Sequence, residues 1–127
     1  MADRSAVAYP LRARLPGVEV VVGSFETDGT GAPVNTVGKG WSISTPSTGV
    51  YTVTLEKSCT SLITMATLSD VTTNANDTVR TGTESAGSGS TAASFKIITA
   101  SAAGTDANLD GPRVNFVAYL ISSDSLR

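Results

Sequence analysis

Alternation of apolar and polar positions dominates the chain. From Gly17 onward, Val18, Val20 and Val22 fall on one side and Glu19 and Val21 on the other, the two-residue period of a half-buried strand ending near Thr27. Trp41 and Ile43 share a side with Lys39 in a short strand that stops before Pro46. After a turn at Ser47-Thr48-Gly49, Tyr51, Val53 and Leu55 oppose Thr52, Thr54 and Glu56. These two runs, Trp41 to Ser44 and Val50 to Glu56, predict an antiparallel hairpin with one core face and one wet face.

Farther along, Leu62, Thr64, Ala66 and Leu68 oppose Ile63, Met65 and Thr67, which predicts a strand covered on both sides; Ser61, Thr64, Thr67 and Ser69 argue against a helix. One more edge strand is expected over Thr78 to Thr83, and another where Phe95, Ile97 and Thr99 alternate with Lys96 and Ile98. The closing run, Arg113 to Ile121, is apolar on both sides, with Val114, Phe116, Ala118 and Leu120 opposing Asn115, Val117, Tyr119 and Ile121. In a sandwich one side goes to the core, so Val117, Tyr119 and Ile121 call for a second sheet or a second subunit. Breaker-rich stretches join these runs: Asp28 to Gly38, Asp70 to Thr78, Glu84 to Thr91 and Ala100 to Gly111 read as loops. Six or seven short strands make an all-β chain, an antiparallel β-sandwich or jelly-roll-like domain over residues 17 to 127. Residues 1 to 16, interrupted by Pro10 and Pro16 and without a sustained period, read as an extended N-terminal arm.

Composition agrees with strands and turns: of 127 residues 16 are Ser, 18 Thr and 12 Gly, and there is no Gln or His. The net charge of −2 is uneven. Residues 1 to 16 hold Arg4, Arg12 and Arg14 against Asp3, leaving 6 basic and 10 acidic residues in the rest. A mildly acidic body without a basic, aromatic-interleaved cluster does not suit a nucleic-acid backbone. The longest apolar run, Phe116 to Ile121, is far short of a membrane span, and the first residues lack a signal-peptide layout, so synthesis in the cytoplasm is expected.

Chemistry-bearing motifs are few. Asp106, Asn108 and Asp110, followed by Gly111, match the first half of a calcium loop, but the position that needs a bidentate Glu falls on Val117 within a strand, and an ordinary turn is the stronger reading. Gly82 to Gly89 lacks the Lys of a phosphate-binding loop. Asn76-Asp77-Thr78 is a glycosylation sequon by letters only. Without His, Ser or Cys59 has no imidazole to activate it, and no pair among Glu19, Glu26, Glu56 and Glu84 is set for acid–base work; Glu19 and Glu56 are expected on outward faces as solvated charge. Neither enzymatic activity nor a cofactor is expected. Trp41 and Tyr51 lie on the apolar sides of their strands and are expected in the core.

Three segments carry a resemblance. Val20-Val-Val-Gly-Ser-Phe-Glu-Thr-Asp-Gly29, Thr48-Gly-Val-Tyr-Thr-Val-Thr-Leu55 and Arg113-Val-Asn-Phe-Val-Ala-Tyr-Leu120 together resemble small virion proteins of tailed phages, over residues 17 to 123. Several such proteins are capsid cement or decoration proteins, commonly trimeric, with an arm that grips the shell. The resemblance implies a virion protein on the capsid surface, binding the major capsid protein through arm residues Arg4, Tyr9, Leu11, Arg12 and Arg14. Self-association, as a homo-trimer, is then expected through Val117, Tyr119 and Ile121. The alternative from another class is a tail or fibre-associated carbohydrate-binding module acting through its loops, or a calcium-dependent adhesion module.

Overall fold

The computed structural model describes residues 17–69, 77–101 and 104–122. The arm lies outside the described residues, as does most of the Asp70 to Thr78 loop. Eight strands and no helix are found among the described residues: β1 (Val18–Asp28), β2 (Pro33–Val37), β3 (Trp41–Ser47), β4 (Val50–Leu55), β5 (Ser61–Ser69), β6 (Thr78–Ser85), β7 (Ser94–Ala100) and β8 (Asp110–Ile121). They form two antiparallel four-stranded sheets, ordered β2-β1-β8-β5 and β3-β4-β7-β6, which makes the chain a β-sandwich. Sequence neighbours pair at the hairpins β1-β2, β3-β4 and β6-β7. The late strands β7 and β8 instead insert between earlier ones, so both sheets are completed only by long-range pairing.

Between the sheets lie Phe25, Tyr51, Val53, Phe95, Ile97 and Val114, all fully buried. Ring contacts join the layers: Phe25 and Tyr51 have centroids 4.9 Å apart, and Phe116 takes Trp41 edge-on at 4.9 Å and Phe95 at 5.5 Å. Trp41 and Tyr51 are thus packing residues, as their positions predict.

Three expectations are corrected. The stretch Asp28 to Gly38 is not all loop: Pro33–Val37 forms the edge strand β2, paired to β1 through Ser24↔Val37 and Glu26↔Val34. Its Pro33 has no N–H to give and sits at the strand's first position, where that costs nothing. Secondly, β1 faces the other way. Its register with β8 runs unbroken from Val18 to Glu26, so the parity of buried Phe25 turns Val21 and Gly23 inward and Val18, Val20 and Val22 outward. Glu19 is therefore on the inner side, at the open end of the sandwich, where Lys57 of the opposite layer pairs with it. Thirdly, β5 is an edge strand with one uncovered face, and Ile63 and Met65 are 49% and 53% exposed.

The loop before β8 is fastened to the β3–β4 turn. Gly49 has φ +70°, and a Cβ there would stand 2.6 Å from Ala107 N, so only glycine fits. Its N–H donates to Asn108 Oδ1 at 2.8 Å, while Thr99 Oγ1 donates to the Ala107 carbonyl at 2.7 Å.

Candidate functional site: the outer face of the β2-β1-β8-β5 sheet

Antiparallel register stacks residues of β1, β8 and β5 in rows across the outer face. Val18, Ile121 and Ser61 form one row; Val20, Tyr119 and Ile63 the next; Val22, Val117 and Met65 the third. The sequence-predicted residues Val117, Tyr119 and Ile121 are its central column, flanked by neighbours that are apolar except Ser61 and that reading β8 alone does not reveal. Val22, Ile63 and Met65 are among the most exposed large apolar side chains of the described residues. A shallow hollow of about 260 Å³ opens between Met65, Thr67, Asn115 and Val117.

Two further rows are polar. Arg113 Nη1 donates to Ser24 Oγ at 2.6 Å and Nη2 to Glu26 Oε2 at 2.7 Å; Asn35 Nδ2 donates to Glu26 Oε1 at 2.7 Å. Those bonds, with the Arg113 charge, hold the Glu26 carboxyl below its ordinary range, the Asn35 bond contributing most. Beside them, Asn115 Nδ2 donates to Ser69 Oγ at 3.0 Å. Most of the polar side chains are thus bonded to one another, Thr67 excepted, whereas the apolar rows have no cover among the described residues.

With strands about 4.8 Å apart and same-side residues about 6.8 Å apart, three rows over three strands span about 290 Å² in plan. Five rows span about 490 Å². A stable interface takes about 800 Å² from each partner, so the apolar rows amount to the dry centre of a contact that needs a rim. The other sheet's outer face is more polar: β3, β4 and β7 present Ser42, Ser44, Thr52, Thr54, Ser94 and Lys96 in register, with one apolar pair, Val50 and Ile98, at the end.

The remaining sequence candidates are dispersed. Asp106 pairs with Arg80 at 3.4 Å, and Asn108 is occupied by Gly49. Asp110 stands opposite Asp28, whose Oδ1 accepts from Thr30 Oγ1 at 2.6 Å. No group of three or more His, Cys, Asp or Glu converges among the described residues. Glu84 accepts from Thr64, and Glu56 is exposed at the end of β4. Cys59 is half-buried, and burial pushes its thiol up. A hydroxyl-lined hollow of about 350 Å³ lies among Thr30, Thr45, Ser47, Thr48 and Asn108. The arm residues Arg4, Tyr9, Leu11, Arg12 and Arg14 lie outside the described residues. Comparison with protein-family models, with curated proteins and with solved structures finds no match.

Proposed function

We propose that this chain is a non-catalytic structural protein of a virus particle, a capsid cement of the tailed-phage type. It self-associates through the outer face of its β2-β1-β8-β5 sheet and binds capsid protein through its basic arm. One observation carries this reading: among the described residues three largely apolar rows lie uncovered beside two polar rows whose side chains mostly bond one another. A surface with that division gains from contact with another apolar surface and gives up few hydrogen bonds to water in making it. Contacts repeated by symmetry raise the barrier to shell rupture without chemistry. The Ser- and Thr-bearing face of the other sheet suits the water-facing side of such a layer.

The arm is the complementary half of the proposal, three Arg against one Asp where the remainder of the chain is acidic. Co-sedimentation with shells of the virus's major capsid protein tests both halves. Full-length protein pellets with shells and raises their rupture temperature, whereas a chain lacking residues 1–16 keeps its oligomeric state and stays in the supernatant. Failure of the full-length protein to bind shells would overturn the cement reading. The hollow at Thr30, Thr45 and Asn108 favours a second reading, a tail-borne glycan-binding module, which a glycan array would reveal. Among the described residues that hollow has no aromatic ring for a sugar to stack on, since Trp41 and Tyr51 belong to the core.

A further inference from the structure

The four edge strands differ in how they are protected against pairing with another chain. β2 begins at Pro33 and holds Asn35 at φ +50°. β3 contains Pro46. β6 carries Arg80 and Glu84, has Thr83 at φ +48° and loses register between Gly82 and Ser85. Proline, charge and local irregularity are the usual means of blunting a sheet edge. β5 has none of them: its nine residues, Ser61–Ser69, include no proline, glycine or charge and keep unbroken register with β8. Its other side has no strand partner among the described residues. β6 of the facing sheet runs close beside β5 without ladder pairing, and the Thr64 hydroxyl meets Glu84 across the gap.

The sequence of β5, Ser-Leu-Ile-Thr-Met-Ala-Thr-Leu-Ser, is almost the same read backwards. Two copies laid antiparallel about Met65 would set Ser61 opposite Ser69, Leu62 opposite Leu68, Ile63 opposite Thr67 and Thr64 opposite Ala66. Met65 would face its own counterpart. The pairs match except Thr64 with Ala66, so the inner row has Leu pairs at its ends and Thr–Ala pairs between them. A two-fold contact demands this self-complementarity, because the same strand must serve as both partners.

We infer that β5 pairs antiparallel with β5 of a second copy of this chain, about a two-fold axis at Met65, joining two four-stranded sheets into one of eight strands. The inference rests on the self-association proposed above and is independent of the virus. Pairing nine residues adds about eight to ten backbone hydrogen bonds. It also makes the exposed Ile63 and Met65 of both copies continuous, so the apolar outer face doubles across the axis. The symmetry is two-fold, whereas the resemblance implies a trimer, and the two predictions separate by experiment.

Cross-linking tests the axis directly, using full-length chain with Cys59→Ser to remove the native thiol. Met65→Cys places two Cα atoms opposite each other at about 4.5–5.5 Å, within the span of a disulfide. Ile63→Cys leaves its two copies about 14 Å apart, out of reach. The expected result is that most of the Met65→Cys protein oxidises to a linked dimer and at least ~10-fold less of the Ile63→Cys protein does. Both sites are exposed, so neither exchange threatens the fold. Equal or absent cross-linking of both variants, in a protein that light scattering shows to be oligomeric, overturns the β5 axis while sparing self-association. A wild-type chain that is monomeric at every concentration overturns both.

Discussion

Trp41 occupies the space that a side chain at position 23 would need. A Cβ on Gly23 would stand 2.6 Å from Trp41 Cε2 and Cζ2 and 2.6 Å from Phe116 Cζ, closer than any real contact. The indole bridges the two sheets there, edge-on to Phe116, so it cannot withdraw without opening the core. Gly23→Ala is therefore expected to cost about 1–3 kcal/mol and to lower Tm by at least ~4 °C. Gly82→Ala is the control, because its Cβ would meet only Ile98 at an ordinary 3.7 Å. It should leave Tm unchanged or slightly raised. Equal losses in both variants would remove the Trp41 explanation.

Acid should weaken the fold through Glu26 and Asp28. Both carboxyls are held below their ordinary values of 4.5 and 3.8, Glu26 first by Asn35 and then by Arg113, Asp28 by Thr30. A depressed carboxyl contributes stability above its unfolded pKa and loses it as pH falls through the folded value. Tm should accordingly hold down to about pH 4.5 and fall below it. The decline should be shallower in Glu26→Gln, read by calorimetry from pH 6 to pH 2.5.

Tyr51 provides the opposite case. Its ring is fully buried against Phe25, and its hydroxyl has no hydrogen-bond partner among the described residues. An unmet buried hydroxyl costs stability, so Tyr51→Phe should match or exceed the wild type, by up to about 1 kcal/mol. Burial first, and then the Asp28 charge, push the hydroxyl above its ordinary 10.0. Above that pH the unfolded chain ionises Tyr51 while the folded chain does not, and wild type loses stability that Tyr51→Phe retains. A clear loss in Tyr51→Phe at pH 7 would mean that the hydroxyl has a partner.

These features also show what could be read from the sequence. Strands β4 and β7 alternate, and their elements were legible directly; β8, apolar on both sides, was legible as a strand that needs cover on each. The face of β1 was not read correctly from Val18, Val20 and Val22, because its first half is apolar on both sides. Phe25 and Thr27 decide the parity, and both are buried. β2 escaped because its stability comes from pairing with β1 rather than from its own residues, and Pro33, Asn35 and Gly38 obscure it. The apolar rows themselves could not be foreseen. Alternation gives the two sides of each strand but not its neighbours, so Val22, Val117 and Met65 become one row only when β1, β8 and β5 are placed side by side.

The central claim is that the uncovered apolar rows are the working surface of this protein. Light scattering after size exclusion, over a ~100-fold range of concentration, tests it most directly on wild type and Val117→Asp. Val117 is on the outer face and half-buried, so the exchange puts a charge into the third apolar row without entering the core. The account predicts a wild-type mass at a multiple of 12.9 kDa and a folded Val117→Asp of lower mass, no larger than the β5-paired dimer, with unchanged circular dichroism. A wild type that stays at 12.9 kDa throughout, or a Val117→Asp oligomer of undiminished mass, would contradict it.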